Sequence, residues 1–152
     1  PIQPVLRVPC IIYAPGLVKP VIDDYPVEQV DMVPTVCALM GMEPHPNFQG
    51  INVLDPNRPP AGKRQLFVHV ESPLASADVV IEGGRWKLWV DRTSGGAGLY
   101  DVVNDPGEER NLLRTEINRA RHLFSRLEYW RNSQLAYYRY PFYYDAYYPP
   151  RY

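Results

Sequence analysis

Asp101, Asn104, Asp105 and Glu108 bring four oxygen-bearing side chains into one short stretch. Calcium takes ligands of this kind, but the spacing of a calcium loop and its terminal bidentate Glu are absent. Pro106-Gly107 explains the stretch as a turn instead. Asp23-Asp24 is a second acidic pair, and two acids in a loop before a helix read as solvated. His45 lies between prolines, His69 on an expected strand near Glu71, and His122 on an expected helix. Three histidines scattered in this way do not make a zinc site. Arg119, Arg121, Arg126 and Arg131 share that expected helix. Such a set can bind an anion, yet the simpler reading is a solvated face. Cys10 sits in an apolar run and Cys37 on an apolar helix face. They read as buried thiols rather than a disulfide framework. Gly95-Gly96 belongs to a hairpin-like turn, and neither a Ser–His–Asp arrangement nor a Gly-rich phosphate loop stands out. The catalytic, cofactor-binding and metal-binding sets read from this chain are therefore empty.

The elements that position these groups belong to a globular chain. Its 152 residues suit one domain of ordinary size. A compact chain of that length buries roughly 70% of the surface its unfolded form exposes. With 45% hydrophobic and 22% charged residues, the composition is that of an ordered protein. A net charge of −1 and a pI of about 6.4 leave no electrostatic footprint for nucleic acid or an anionic membrane. No apolar stretch approaches the roughly 20 residues of a membrane span, so no transmembrane segment is expected. Pro1-Ile2-Gln3-Pro4 has neither the charged n-region nor the long h-region of a signal peptide. It leads within a few residues into an expected core strand, so the start reads as that of a piece of something longer.

Val8 to Ala14 is a continuous apolar run closed by Pro15-Gly16. That pattern predicts a strand buried on both faces of a parallel or mixed sheet. A loop leads to a short helix with Asp31 as N-cap and Pro34 in its first turn. Val33, Val36, Cys37 and Met40 mark its buried face, and Gly41 fits the left-handed position that ends it. Residues 43–64, rich in proline, asparagine and glycine, form a long ordered loop or a linker.

Four strands follow, over Gln65 to Glu71, Asp78 to Glu82, Arg85 to Val90 and Gly98 to Val102. Gly83-Gly84 signals a two-residue hairpin between the middle pair. Trp86, Leu88 and Val90 alternate with Arg85, Lys87 and Trp89, so one face is expected to be buried. The short spacing argues for an antiparallel sheet. A helix then runs from about Glu116 to Gln134, with Ile117, Ala120, Phe124, Leu127 and Trp130 as its apolar stripe and Thr115 as a cap. The tail, 135–152, is Tyr- and Pro-rich; it is expected to wrap over the body with tyrosines as flat amphipathic contacts. With Arg139 and Arg151 as its cations, it is not read as a platform for stacked bases.

Several stretches, in this order, resemble the sulfatases of the arylsulfatase type, which belong to the alkaline phosphatase superfamily. Arg7-Val8-Pro9-Cys10-Ile11-Ile12-Tyr13-Ala14-Pro15-Gly16 is similar to a family segment in which a Val-Pro opens an apolar strand and Pro-Gly closes it. Val30-Asp31-Met32-Val33-Pro34-Thr35-Val36 with Gly41 resembles the Asp-x-x-Pro-Thr helix that follows. Gln49-Gly50-Ile51-Asn52-Val53-Leu54 is similar to the Gln-Gly segment after that helix. Arg85-Trp86-Lys87-Leu88 and the run from Leu99-Tyr100-Asp101 through Asn104-Asp105-Pro106-Gly107-Glu108-Glu109-Arg110-Asn111-Leu112 resemble the C-terminal sheet and its signature turn. The likeness covers roughly residues 6–132.

The resemblance implies an α/β fold, α+β in isolation: the last core strand and helix of an alkaline-phosphatase-like sheet, then a small antiparallel four-stranded sheet with a C-terminal helix. The implied organisation is 1–42 as the end of the catalytic core, 43–64 as linker, 65–134 as sheet-plus-helix subdomain and 135–152 as tail. It also implies hydrolysis of sulfate esters, in which a formylglycine made from a Cys/Ser-x-Pro-x-Arg motif attacks sulfur and a divalent cation, usually calcium, holds the sulfate oxygens. This sequence departs from the pattern there. It contains no Cys/Ser-x-Pro-x-Arg; Cys10 is followed by Ile-Ile-Tyr and Cys37 by Ala-Leu-Met. The family's metal-binding acids and catalytic lysine lie upstream of its first matching strand. The expected partner is thus an upstream catalytic portion of the same enzyme, with a sulfate ester as the substrate of the whole. Two other readings stand beside this one. A phosphodiesterase, phosphonate hydrolase or phosphoglycerol transferase could share the architecture, and a non-catalytic interaction module would fold as a stable unit by itself.

Overall fold

The structure is a computed structural model and describes residues 6–72 and 75–139. Pro1 to Pro4 and the tail beyond residue 139 lie outside them. The element order is a short 3-10 turn at Gln29–Asp31, helix α1 (Met32–Leu39), a second 3-10 turn at Ala61–Lys63, then strands β1 (Gln65–Ser72), β2 (Ala75–Glu82), β3 (Trp86–Asp91) and β4 (Ala97–Asp101), and helix α2 (Ile117–Arg139). The strands form one antiparallel sheet in sequence order. No helix among the described residues is long and apolar enough to cross a membrane.

Hairpin chemistry sets the register. Gly83 and Gly84 both have positive φ, 61° and 65°, as a two-residue primed turn requires. Pairing outward from that turn puts Val80 opposite Leu88; the neighbouring strand pairs put Phe67 opposite Val80 and Leu88 opposite Leu99. This apolar row crosses all four strands and packs under α2, where Ala120, Leu123 and Leu127 are buried against it. Phe67 stacks on Trp130 with centroids 5.3 Å apart. Asn111 closes the outer edge of β4: its Oδ1 accepts from the Leu99 amide at 3.1 Å, and the Leu112 amide donates to the Leu99 carbonyl at 2.8 Å.

Several expectations need correction. The strand at Val8–Ala14 does not form, and Ile11 and Tyr13 are each 88% exposed. A strand exists only beside a neighbour that takes its backbone hydrogen bonds; the sheet offers none to this segment among the described residues. Cys10, read as buried, is exposed with it, whereas Cys37 is buried. On α1 the buried residues are Pro34, Thr35 and Cys37, while Val33, Val36 and Met40 are half or more exposed. The helix turns its polar stripe inward because Asp31 and Thr35 have partners there. Gly41 ends it with φ +69° as expected. The core stripe of α2 runs through Ala120, Leu123 and Leu127, with Ile117 and Phe124 nearly half exposed. That helix continues to Arg139, so Leu135 to Arg139 are helical rather than tail.

β3 is covered on both faces, against the expectation of one. Lys87 is fully buried, and its Nζ meets Glu108 Oε1 at 2.6 Å. Glu108 reaches it from a left-handed backbone conformation, φ +55°. A non-glycine residue takes that conformation at some cost in energy, and here it delivers the counter-charge that a buried lysine needs.

Candidate functional site

Asp31 is the hub of the N-terminal half. It is completely buried and receives the Glu28 amide at 3.0 Å, the Ile51 amide at 2.8 Å and the Arg64 guanidinium at 2.7 and 2.9 Å. Thr35, one turn on, donates to the Asp31 carbonyl at 2.7 Å and accepts from the Val53 amide at 3.1 Å. The Asp-x-x-Pro-Thr and Gln-Gly stretches are thus two halves of one clamp: the helix motif holds the backbone of the segment after it. Gly50 is required there, since a Cβ would lie 2.1 Å from the Val30 carbonyl oxygen. Asp31 stands at the N-cap position of α1 as expected, but its side chain makes no cap hydrogen bond there and serves as a buried anchor instead. Glu28 completes the group, with Arg64 at 3.1 Å and the Phe67 amide at 3.3 Å. Burial pushes its carboxyl up to about 7, against the pull of Arg64.

Two polar rows flank the apolar row on the α2 side of the sheet. At one end, His69 and Asp78 face each other across β1 and β2. Asp78 is fully buried and accepts from His69 Nδ1 at 2.7 Å, Arg92 Nε at 2.6 Å and Arg131 Nη1 at 2.7 Å. Burial pushes its carboxyl up, but these three donors outweigh it and hold it below its ordinary value. Arg92 also bonds Glu128 of α2 at 2.6 Å, and His69 Nε2 lies 3.2 Å from Glu71. At the other end, Gln65 faces Glu82. Glu82 accepts from Gln65 Nε2 at 2.9 Å and Arg119 Nη1 at 3.2 Å, and Arg126 Nε donates to Gln65 Oε1 at 2.9 Å. Here lies a cleft of about 500 Å³ between the linker and α2. Arg119, Arg126 and Arg131 therefore face the sheet rather than solvent; Arg121 is exposed. A helix wheel alone could not find them, because their acceptors lie on strands remote in sequence.

The other sequence candidates separate. Asp23 pairs with Arg58 at 2.6 Å, and Asp24 is exposed. His45 Nδ1 accepts from the Asn47 amide at 3.2 Å, within its own turn. The oxygen-rich stretch does not fit a cation. Asp101 takes Arg85 in a two-pronged contact at 2.6–3.0 Å and Asn104 at 2.8 Å. Asp105 accepts the Glu109 and Arg110 amides, and Glu108 neutralises Lys87. Among the described residues no three His, Cys, Asp or Glu side chains gather as metal ligands.

No known protein family matches the chain by sequence, and no curated protein does. The fold does match solved structures. One is BT4656, solved with its substrate D-glucosamine-2-N,6-O-disulfate: 22% identity, 64% of this chain and 22% of that one, TM-score 0.55. Another is a Bacteroides thetaiotaomicron protein provisionally assigned as a sulfatase: 21% identity, 72% of this chain and 25% of that one, TM-score 0.50. The chain has the fold of a portion of these proteins. It spans about a quarter of their length.

Proposed function

We propose that this chain is the C-terminal part of a sulfatase-like hydrolase, in which an upstream catalytic portion supplies the nucleophile and the cation. In this reading the chain covers one side of the catalytic portion and shapes the substrate pocket, and calcium and formylglycine belong upstream. The observation that carries it is an open apolar surface on a sulfatase fold. Val8, Ile11, Tyr13, Leu17, Val21 and Ile22 are 68–95% exposed, and Val33 and Val36 of α1 and Met40 just after it add to them. Burying one such aliphatic side chain contributes ~1.5–3 kcal/mol, so a surface of this kind marks a contact with further protein. The catalytic portion is the occupant this reading assigns.

The test is made on the native protein in its source. Peptides upstream of Pro1 are mapped by mass, and sulfate release is measured from an aryl sulfate and from D-glucosamine-2-N,6-O-disulfate. A formylglycine-bearing Cys/Ser-x-Pro-x-Arg peptide with sulfate release is the expected result. A native product without that peptide ends the hydrolase reading, and sulfate release by the 152-residue chain alone ends the assignment of the chemistry to an upstream portion.

A further inference from the structure

The cleft between linker and α2 is built by three constraints. Register sets its floor, since Gln65 opens β1 directly opposite Glu82 at the end of β2. The linker wall is pinned to the hairpin: the Gly83 amide donates to the Arg64 carbonyl at 2.7 Å, and a Cβ on Gly83 would stand 3.1 Å from Gly62. The far wall is α2, which presents His122 and Arg126 one turn apart. The volume of about 500 Å³ falls within the ~300–1,000 Å³ of small-molecule sites.

The charges in the lining are unevenly matched. Arg64 spends its charge on Asp31 and Glu28, behind the wall. Glu82, the acid of the lining, is met by Arg119 from outside it. Lys63 forms no ion pair among the described residues and is exposed at the rim. His122 adds a half-exposed imidazole, 3.5 Å from both Gln65 and Glu82.

We propose that this cleft binds a sulfate-bearing saccharide unit. Lys63 meets the sulfate oxygens as a charge-assisted donor, the strong kind for such groups, with the His122 imidazole and Arg126 beside it. Glu82 and Gln65 take the sugar hydroxyls, because a carboxylate keeps acceptor capacity beyond the donors it already has. Pro59 offers a flat apolar wall to the ring. A bare sulfate meets the cations alone, so the site prefers the sugar. The choice of ligand rests on the hydrolase reading; the cleft itself does not.

The test titrates the 152-residue chain at low salt with three probes: D-glucosamine-2-N,6-O-disulfate, D-glucosamine and inorganic sulfate, following the His122 imidazole resonances by NMR. The disulfate is expected to shift them and to bind at least about tenfold more tightly than either other probe, the scale of one charge-assisted hydrogen bond. Lys63→Glu weakens it about tenfold, and Lys63→Arg retains it. Equal binding of all three probes, an unmoved His122, or full binding by Lys63→Glu overturns the proposal. Loss of this binding while the native protein still releases sulfate refutes the cleft and leaves the hydrolase reading in place. Binding here without sulfate release by the native protein does the reverse.

Discussion

The two halves of this molecule are held together by different forces. Residues 65–139 form a sheet and helix around an apolar row, with Val80, Leu88, Leu99, Leu123 and Leu127 completely buried. Residues 6–64 contain one short helix and expose much of their apolar surface. What orders that half is polar: Asp31 and Thr35 clamp the Gly50–Val53 backbone, and Arg64 ties the clamp to the start of β1. The C-terminal half has an apolar core of its own. The N-terminal half carries apolar side chains suited to a second surface, and its internal order comes from buried hydrogen bonds instead.

The largest expected effect tests the polar half. Arg64→Met leaves Asp31 charged and buried without its cation, and breaking such a pair costs ~3–5 kcal/mol. Urea unfolding followed through Tyr25 and the tryptophans reads it; a loss under about 1 kcal/mol would mean that the clamp is not what orders this half. Next is the apolar half. Leu127→Ala removes a fully buried side chain from under the sheet, for ~2–5 kcal/mol by the same assay. A smaller loss would show that α2 is held mainly by its polar rows.

A third prediction uses the acids of the two halves, which titrate in opposite senses. Folded Glu28 keeps its proton up to about 7, against an ordinary 4.5. Between those values the folded state binds more protons than the unfolded one, so this contribution to stability falls as pH rises through the window. Asp78 is held below its ordinary 3.8, so its contribution is present at neutral pH and is lost as pH falls through its folded value. Wild type should therefore lose stability relative to Glu28→Gln on going from about pH 5 to about pH 8. Parallel urea midpoints across that range would remove Glu28 from the account. The smallest effect belongs to the exposed surface: Ile22→Ser, at a side chain 95% exposed, should change the stability of this chain by under about 0.5 kcal/mol. In the native protein the same change should weaken the contact with the catalytic portion, and unaltered thermal stability there would break that assignment.

The sequence by itself determined the local elements whose rules are local. Gly83-Gly84 specified the hairpin, and through it the register of β2 against β3. Asn104-Asp105-Pro106-Gly107 specified a turn, Gly41 the end of α1, and the alternation around Leu88 a buried strand. The order of the motifs pointed to the sulfatase fold. Tertiary structure decided what depends on distant partners. The apolar run at Val8–Ala14 reads as a strand, but strand formation is settled by a neighbour's backbone, and no pattern within the run supplies one. Val33, Val36 and Met40 read as the buried face of α1, but Asp31 and Thr35 found partners in Ile51, Val53 and Arg64 and turned the helix the other way. Lys87 reads as solvent-facing, and only the placement of Glu108 makes its burial tolerable. The cleft beside Lys63 was invisible for the same reason: linker, strand and helix each supply one wall, and only folding brings them together.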